Sequence, residues 1–457
     1  MSTAEEYSTD INERIKVFGK HIFDAIGKEQ PGAFNKNYWS GRIMEWSMTQ
    51  PSFKVNMFRL VDVLPTLSSS ESVAKHVNEY LGDIGKQIHG LIGWGLNVNP
   101  RSLRAKLTSI AVRKSVSQMA QQFIAGETPN NSLRALKRLR KTGLAYTVDL
   151  LGEYSVSEEE AEDYLKRYIE ALEVFGKEIP KSRIAKPIIE GHPGESWPNC
   201  ISVKLSALYS QCSPLNYDTS VEILSERLST IVQLAKKSNS LIYVDAEDSA
   251  NNPIIFETYK RVFGEGEHKD FPYPGIVLQA YSKSCEQYIH ETLDFAKKRG
   301  APVAVRLVKG AYWDMETISS NQQNWESPLF SAKASSDANY ERLSRLLLDN
   351  HRLVLPAFGS HNIRSLSHAC CYAESRGLSN KDFELQMLYG MAEPIARAFA
   401  KEGYLTRLYV PLGQMIPGMG YLVRRLLENT SNESFLRHTF HDDQEVDALL
   451  NEPRMTL

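Results

Sequence analysis

The stretch APVAVRLVKGAYW, residues 301–313, decides the fold of this chain. It begins as a short apolar run of the kind that forms a buried strand. The run then brings Arg306 and Lys309 near the end of that strand, followed by a glycine and two aromatic residues. Buried cations are costly unless another group pairs with them. The stretch therefore predicts a buried strand that ends at a functional site.

Seven more apolar segments of similar length share this pattern, and helical patterns such as SEEEAEDYLKRYIEALEVF separate them. Regular alternation of strand and helix predicts parallel strands joined by crossover helices. Eight strands can close into a (β/α)8 TIM-type barrel, and a doubly wound open sheet is the alternative. The predicted strands are LAYTVDL (144–150), CISVKLS (200–206), SLIYVDA (240–246), GIVLQAY (275–281), APVAVRL (301–307), RLVLPAF (352–358), FELQMLY (383–389) and TRLYVPL (406–412).

The length of 457 residues suits one large domain and a smaller one. Apolar residues recur at helical spacing before the first strand, for example in FKVNMFRLVDVLPTL (53–67). We therefore predict an all-helical N-terminal region over 1–140, the barrel over 141–440 and an acidic tail over 441–457.

Composition excludes several classes of protein. The net charge of −2 provides no global attraction to nucleic acid or membranes. No apolar run approaches the roughly 18 residues of a membrane span, and the acidic N-terminus is unlike a signal peptide. The five cysteines include no CxxC pair, which predicts reduced thiols in a cytoplasmic protein. Residues 101–142 carry ten basic residues against one acid, which indicates either a surface for anionic lipid or nucleic acid or ordinary solvated helix faces.

Polar residues mark the end of almost every predicted strand, where the active sites of such barrels lie. They are Lys204, Asp245, Gln279, Arg306, Ser360, His361, Asn362, Glu384, Gln386 and Tyr409. With a single histidine in this set, a metal centre is not predicted. GxGxxG after a strand and GxxxxGK[ST] are both missing, which argues against a nucleotide held by a Rossmann or P-loop motif. The adjacent Arg424 and Arg425 lie on a largely apolar helix and suit a small carboxylate.

The segments VKLSALY, VDAED, VLQAYSK, RLVKGAYWD, SHN, FELQMLYGM and YLVRRLLENTSNESFLR resemble the proline dehydrogenase family. They occur in the family's order over residues 140–440, and they are most similar to the proline dehydrogenase half of bifunctional proline utilisation A proteins. The resemblance implies a (β/α)8 barrel with non-covalent FAD that oxidises L-proline to Δ1-pyrroline-5-carboxylate.

The resemblance also implies roles for single residues. Arg306 corresponds to the arginine at flavin N5, and with Lys204, Asp245 and Tyr312 it forms the expected catalytic set. The cofactor positions are Gln279, Arg306, Val308, Gly310, Trp313, Lys333, Ser360, His361, Asn362 and Glu428. The positions that bind the proline carboxylate are Lys204, Arg424 and Arg425, and the positions that line the pocket are Asp245, Leu307, Tyr312, Tyr409 and Tyr421. Lys309 receives no role, and we expect it to extend outward into solvent.

The implied reaction is a hydride transfer from proline to flavin N5, with electrons passed on to a membrane quinone. Proline first loses its ammonium proton, and solvent is the expected acceptor because no side chain is an obvious base. Quinone reduction implies a cytoplasmic protein associated peripherally with the inner face of the membrane, with residues 101–142 as a candidate contact and no nucleic-acid partner. The bifunctional relatives continue into an aldehyde dehydrogenase half. The chain is therefore expected either to belong to a longer polypeptide or to work with a separate pyrroline-5-carboxylate dehydrogenase.

Two other functions remain open from the sequence. One is a flavin barrel that reduces a folate-bound carbon with a nicotinamide, which would not need the Arg424–Arg425 pair. The other is a non-catalytic adaptor for membrane or nucleic acid built around residues 101–142, which would be colourless and would bind in a strongly salt-dependent way.

Overall fold

The structure is a computed structural model that describes residues 2–27, 56, 59–60, 63–85, 99, 102–181, 186–391, 393–414 and 443–455. The chain divides into two compact units. The larger unit comprises the described residues of Met1–Lys28, Thr128–Leu412 and Gln444–Leu457, and the smaller unit those of Glu29–Glu127 and Gly413–Asp443. The barrel belongs to the larger unit.

Eight parallel strands form a closed barrel in which each strand pairs with its neighbours in the sequence and β8 pairs with β1. The predicted (β/α)8 barrel is confirmed, and the open sheet is excluded by this closure. The strands are β1 (Ala145–Leu150), β2 (Asn199–Val203), β3 (Ser240–Val244), β4 (Gly275–Gln279), β5 (Val303–Val308), β6 (Val354–Gly359), β7 (Glu384–Leu388) and β8 (Thr406–Leu412).

Helices connect the strands of the barrel. Within the described residues, four helices precede β1: α1 (Ser2–Gly27), α2 (Ser70–Gly85), α3 (Leu103–Phe123) and α4 (Pro129–Lys141). Those between strands are α5 (Glu158–Glu178), α6 (Tyr217–Lys237), α7 (Asn252–Gly264), α8 (Cys285–Arg299), α9 (Trp313–Gln323), α10 (Lys333–Asp349), α11 (Ile363–Ser375) and α12 (Glu393–Lys401). A short helix, α13 (Asp443–Leu449), lies near the C-terminus, and three-residue to four-residue 3-10 turns occupy Leu64–Thr66, Pro193–Glu195, Leu205–Leu208, Pro214–Asn216, Ser249–Asn251 and Gly266–His268.

Local signals explain where these helices begin and end. The side chain of Ser157 accepts a hydrogen bond from the backbone N–H of Glu160 and caps α5, whose first turn holds three glutamates. Helix α8 carries three basic residues in its last turn and ends at Gly300, which adopts a left-handed conformation with φ 72°. Capping residues thus define the start of α5 and the end of α8.

The barrel interior has an apolar layer towards its amino-terminal end. Cys200, Leu241, Tyr243, Val277, Ala304 and Leu355 form this layer, with Val308 packed against it. Because successive side chains of a strand point to opposite faces, residues two positions further along the same strands also point inward. After Cys200, Tyr243 and Ala304 those residues are Ser202, Asp245 and Arg306, of which Asp245 directly follows the end of β3. The layering therefore directs polar side chains into the carboxyl-terminal half of the barrel.

Helix α1 packs against the outside of the barrel in the larger unit. Ile11 and Ile15 contact Cys371 of α11, and the ring of Phe18 meets the rings of Phe399 and Tyr404 edge to face. In the smaller unit, Ala74 of α2 and Ala105 of α3 form a small buried contact. Across the described ranges, no helix has the length and hydropathy that a membrane span requires.

Candidate active site

Four charged side chains meet in the carboxyl-terminal half of the barrel, and all four are buried: Lys204, Asp149, Asp245 and Arg306. The ammonium of Lys204 donates hydrogen bonds to Asp149, to Asp245 Oδ2 at 3.3 Å and to the Tyr409 hydroxyl at 3.0 Å. The Tyr409 hydroxyl in turn donates to Asp245 Oδ2 at 2.7 Å. The fourth charged group, Arg306, reaches the cluster through Asp245. The structure thus brings together four residues predicted at the ends of separate strands, namely Lys204, Asp245, Arg306 and Tyr409.

Arg306 is held on one side and open on the other. Its Nη1 donates to Asp245 Oδ1 at 2.9 Å and to Ser202 Oγ at 3.0 Å. Its guanidinium lies over the ring of Tyr243 at 4.3 Å and near that of Tyr409 at 5.3 Å. Nε and Nη2 are buried, and no residue in the described part of the chain accepts a hydrogen bond from them. These two oriented donors can therefore donate hydrogen bonds to a bound ligand.

Electrostatics keep the lysine of this cluster charged. Burial opposes the charge of Lys204, but the neighbouring Asp149, Tyr409 and Asp245 outweigh it and raise its pKa well above the usual range. Burial raises the pKa of Asp149 to about 6, against the opposing effect of Lys204. Burial also holds the pKa of the Tyr409 hydroxyl well above its usual range, so it stays protonated and donates. At neutral pH the cluster carries paired opposite charges.

A second set of residues lines the loops after β4 and β5. The Gln279 side chain donates to the Glu247 carbonyl oxygen at 2.7 Å and accepts from the Ala311 N–H at 3.3 Å. Gly310 has φ 134°, and a Cβ there would lie 2.4 Å from the Tyr281 ring, so only glycine fits. The absence of a side chain at Gly310 thus lets the Tyr281 ring pack directly against the backbone after β5.

The two aromatic residues of the β5 loop face different surroundings. Tyr312 is buried and hydrogen-bonded to Glu153. Trp313 is 39% exposed, and its Nε1 donates to the Phe330 carbonyl at 2.9 Å. Tyr312 therefore suits the wall of an enclosed pocket, while Trp313 offers an accessible ring face.

The predicted cofactor residues after β6 lie at the start of α11. Asn362 caps this helix by accepting from the Ser365 N–H at 3.0 Å, and the Ser360 hydroxyl accepts from the Asn362 N–H at 3.0 Å. His361 Nε2 accepts from the Leu388 N–H at 2.9 Å, which leaves its Nδ1 as the protonated nitrogen. Lys333 is the first residue of α10 and is largely exposed. Helix N-termini of this kind favour anionic groups such as phosphates.

Two sequence-based placements need correction, and a third stays a prediction. Leu307 is fully buried, and strand alternation directs it to the opposite face from Arg306, so its place in the wall of the proline pocket stays a prediction. Lys309 does not extend into solvent, since it pairs with Asp337. Glu384 begins β7 instead of ending it, and it pairs with Arg407 at 2.9 Å in the amino-terminal half of the barrel. Leu388, the last residue of β7, lies beside Tyr409 in the strand register. Because Glu384 of the same strand points inward, Leu388 points into the barrel as well.

Other predicted residues divide into those the structure describes and those it does not. Val308 is half-buried and packs against the interior layer below Arg306. Tyr421, Arg424, Arg425 and Glu428 lie outside the described residues. The roles assigned to them stay predictions.

Several residues of the site were not predicted from the sequence, of which Asp149 is the most important. It lies near the end of β1 on the inward face, so the strand-end pattern that predicts Lys204 applies to Asp149 as well. Ser202 and Tyr243 hold Arg306 from positions inside their strands, where polar and aromatic residues carry no distinctive signal. Glu247 is buried after β3 and accepts from the Ser206 N–H at 3.1 Å.

The closed (β/α)8 barrel with a charged cluster in its carboxyl-terminal half defines a protein of the TIM-barrel enzyme class, whose active sites lie at that end. A family model described as proline dehydrogenase matches residues 132–438, and one described as the proline utilization A N-terminal domain matches residues 12–123. The chain belongs to the proline dehydrogenase family. The predicted family, fold and enzyme class are therefore confirmed at the level of the family.

Individual relatives agree with this assignment. The bifunctional protein PutA of Escherichia coli (strain K12) is 32% identical over 353 residues, which cover 75% of this chain and 26% of that protein. Proline dehydrogenase 2 of Bacillus subtilis (strain 168) is 29% identical over 316 residues, which cover 69% of this chain and 88% of that protein. The chain thus spans about a quarter of the bifunctional relative.

A solved structure resembles nearly the whole chain. It is proline utilization A from Bdellovibrio bacteriovorus inactivated by N-propargylglycine, with a TM-score of 0.86 and 40% sequence identity. The similarity covers 98% of this chain and 44% of that one. The chain therefore spans less than half of that longer protein.

Proposed function

We propose that this chain oxidises L-proline to Δ1-pyrroline-5-carboxylate with non-covalently bound FAD. The observation that carries the proposal is Arg306, a buried guanidinium fixed by Asp245 and Ser202 whose Nε and Nη2 have no acceptor in the described part of the chain. Membership of the proline dehydrogenase family supplies the substrate class.

The residues present fit a flavin. Arg306 offers buried, oriented donors to electron-rich ring atoms. Gly310 would contact the flavin through its backbone, as the family resemblance implies, while the Tyr281 ring packs against this glycine from the side where a Cβ would lie. Trp313 has an exposed ring, and Lys333, Ser360, His361 and Asn362 lie at the starts of α10 and α11, where a diphosphate is favoured. Gln279, Val308 and Glu428 would complete the set. When bound, FAD supplies the acceptor for the hydride.

The protein's own part in the reaction is to bind, orient and keep charges in place. Lys204 would bind the proline carboxylate with Arg424 and Arg425. In the described part of the site the charges of Lys204 and Arg306 are already balanced by Asp149 and Asp245. An incoming carboxylate therefore needs the further positive charge of the two arginines.

Asp245 would position the cations. Its two oxygens already accept hydrogen bonds from Arg306, Lys204 and Tyr409, so the carboxylate is engaged by protein donors and not by the substrate. The ammonium proton of proline is thus expected to leave to solvent. Tyr312, Tyr409 and Tyr421 would enclose the ring of the substrate, and Leu388 is better placed than Leu307 to contribute an apolar wall.

The proposal extends to a quinone as the final electron acceptor and to peripheral contact with the cytoplasmic face of a membrane. Helix α3 supports the membrane contact. Lys106, Leu107, Ile110 and Lys114 are exposed on one arc of this helix, with Leu107 62% and Ile110 56% exposed. A face that mixes lysine with exposed apolar residues is typical of helices that lie on anionic membranes.

The product would pass to a pyrroline-5-carboxylate dehydrogenase. The relatives named bifunctional support this expectation, because this chain matches only 26% of the Escherichia coli protein. The second activity would belong to the same polypeptide or to a separate protein.

The test is an absorbance spectrum of the purified protein, followed by anaerobic addition of L-proline. We expect flavin bands that bleach with L-proline and persist with D-proline or alanine. A yellow protein that does not bleach with L-proline would exclude the proposed substrate. A colourless protein that takes up no added FAD would refute the proposed cofactor.

A further inference from the structure

Asp337 on α10 is the meeting point of two lysines from different parts of the barrel mouth. Lys309 in the loop after β5 donates to its Oδ1, and Lys333 donates to its Oδ2 at 2.6 Å. The side chain of Asp337 is 13% exposed, whereas that of Lys333 is 79% exposed. One carboxylate thus joins a loop that precedes Gly310 to the exposed cation at the start of α10.

Lys309 is an unusual partner for Asp337 because its ammonium group is mostly buried. Its side chain is 22% exposed, and its ammonium lies 5.6 Å from the centre of the buried Tyr340 ring. Burial lowers the pKa of Lys309, while Asp337 opposes this effect. Burial would raise the pKa of Asp337, but the two lysines outweigh it and hold that pKa below its usual range. The pair is therefore ionised, and each lysine depends on the same carboxylate.

The backbone that Lys309 belongs to is fixed from the other side by β4. The Tyr281 N–H donates to the Lys309 carbonyl at 2.8 Å, and the Ala311 N–H donates to Gln279 at 3.3 Å. The side chain of Lys309 then fastens the same loop to α10. Residues 309–311 are consequently held between two neighbouring elements by three polar contacts.

We propose that Asp337 is a positioning residue for the bound FAD. This inference rests on the proposed function, since both groups that Asp337 holds, the loop at Gly310 and the ammonium of Lys333, are proposed to meet the cofactor. Asp337 sets the loop through Lys309 and directs Lys333 along the first turn of α10. It acts through these two lysines and has no contact of its own with the reacting atoms.

The inference is tested by the dissociation constant of FAD for the folded apoprotein, measured by quenching of flavin fluorescence. The variant Asp337→Asn is expected to weaken FAD binding about tenfold, the loss expected when one charge-assisted contact is mispositioned. Asp349→Asn is the matched control, because Asp349 ends the same helix and pairs with Arg376 at 2.9 Å, away from Lys309 and Lys333. That variant should bind FAD as wild type does.

A double-mutant cycle separates positioning from a general loss of stability. In the wild-type background, Lys333→Met should also weaken FAD binding about tenfold. In the Asp337→Asn background, the same Lys333→Met substitution should change the dissociation constant of FAD about twofold or less. If the two effects multiply in full, Asp337 does not act through Lys333, and the inference is wrong. The inference is also wrong if Asp337→Asn binds FAD as tightly as the Asp349→Asn control.

Asp337→Asn leaves Lys309 buried without its counter-ion, which can prevent folding. A second variant keeps the inference testable in that case. The double variant Lys309→Met with Asp337→Asn removes both charges, and it should fold and still bind FAD about tenfold more weakly than wild type. Wild-type affinity in this double variant would overturn the inference. A wild-type chain that binds no FAD would instead refute the proposed function, so the two failures are distinguishable.

Discussion

Arg306 is the residue on which the proposed function depends most directly. Its position inside a barrel would be unfavourable without partners, and Asp245, Ser202 and the Tyr243 ring supply them on one side only. The arrangement costs stability unless a ligand completes it, which is a common property of functional sites.

Replacing Arg306 by lysine should reduce proline oxidation about 100-fold or more, comparable to the loss of one oriented donor in an electrostatic site. Lysine keeps the charge beside Asp245 but cannot present the flat fork of donors that Nε and Nη2 provide. Steady-state rates with L-proline and an artificial electron acceptor measure the effect.

The control for that prediction is Arg342→Lys, since Arg342 is exposed and pairs with Glu286 at 2.7 Å on the surface. The control should retain wild-type turnover. Equal rates for Arg306→Lys and wild type would show that the donors without acceptors have no part in the reaction.

Glu247 is a buried carboxyl whose protonation should be visible in the pH dependence of stability. Burial raises its pKa from the ordinary 4.5 to about 7, although hydrogen bonds from Ser206 oppose the shift. Glu153, Lys204, Cys212 and Tyr312 interact electrostatically with it. Because the folded-state pKa is raised, its contribution to stability is complete below pH 4.5 and is lost as the pH rises through about 7.

The variant Glu247→Gln should therefore gain stability relative to wild type between pH 5 and pH 8, by up to about 3 kcal/mol. Glutamine can accept from the Ser206 N–H and donate to the Ser206 hydroxyl, so the local contacts survive. Urea unfolding at the two pH values gives the difference. Glu222→Gln, at an exposed position, is the control, and a Glu247→Gln difference that does not change with pH would contradict the prediction.

At the scale of secondary-structure elements, helix α3 is the clearest candidate for contact with a membrane. Lys106, Leu107, Ile110 and Lys114 are exposed on one arc of this helix. The contact would combine charge attraction with shallow insertion of Leu107 and Ile110.

The double variant Leu107→Ser with Ile110→Ser should bind vesicles of anionic phospholipid about tenfold more weakly than wild type, because two partly inserted apolar side chains are lost. Vesicle co-sedimentation at fixed salt measures the binding. Val156→Ser with Leu215→Ser replaces two other exposed apolar residues, outside α3, and should bind as wild type does. Similar loss in both double variants would show that α3 has no special role.

At the scale of the whole molecule, α1 belongs to the barrel unit although more than 100 residues separate it from β1. Arg364 of α11 ties the chain ends to the barrel: it pairs with Glu341 at 2.9 Å, and it also donates to Asn12 of α1 and to the Leu450 carbonyl. The proposed domain boundaries at residues 140 and 440 stay predictions, but α1 is packed on the barrel surface.

Truncation of Ile15 in α1 should consequently destabilise the barrel unit. Ile15 is fully buried against α11, so Ile15→Ala should lower the free energy of unfolding by about 2–5 kcal/mol. Val17, which is two residues away and 70% exposed, provides the control. Val17→Ala should change the free energy of unfolding by about 0.5 kcal/mol or less. Chemical denaturation followed by the fluorescence of the barrel measures both, and equal effects would mean that α1 does not stabilise the unit.

The alternation of strands and helices was determined by the sequence itself. Each strand is a short apolar run and each helix an amphipathic one, and both patterns are local enough to be read without knowing what lies opposite. Ends of strands such as TRLYVPL were predicted to the residue, and Lys204, Asp245 and Arg306 were identified because a barrel brings strand ends together.

Only the tertiary structure decided which charges meet and which way each side chain faces. Asp149 pairs with Lys204, Lys309 with Asp337 and Glu384 with Arg407 because the register of a closed sheet and the packing of helices on it bring distant positions together. Leu307 and Arg306 are adjacent in sequence, yet the pleat of β5 sends them to opposite faces. Such pairings depend on three-dimensional distance, whereas the patterns that define strands and helices depend on near neighbours along the chain.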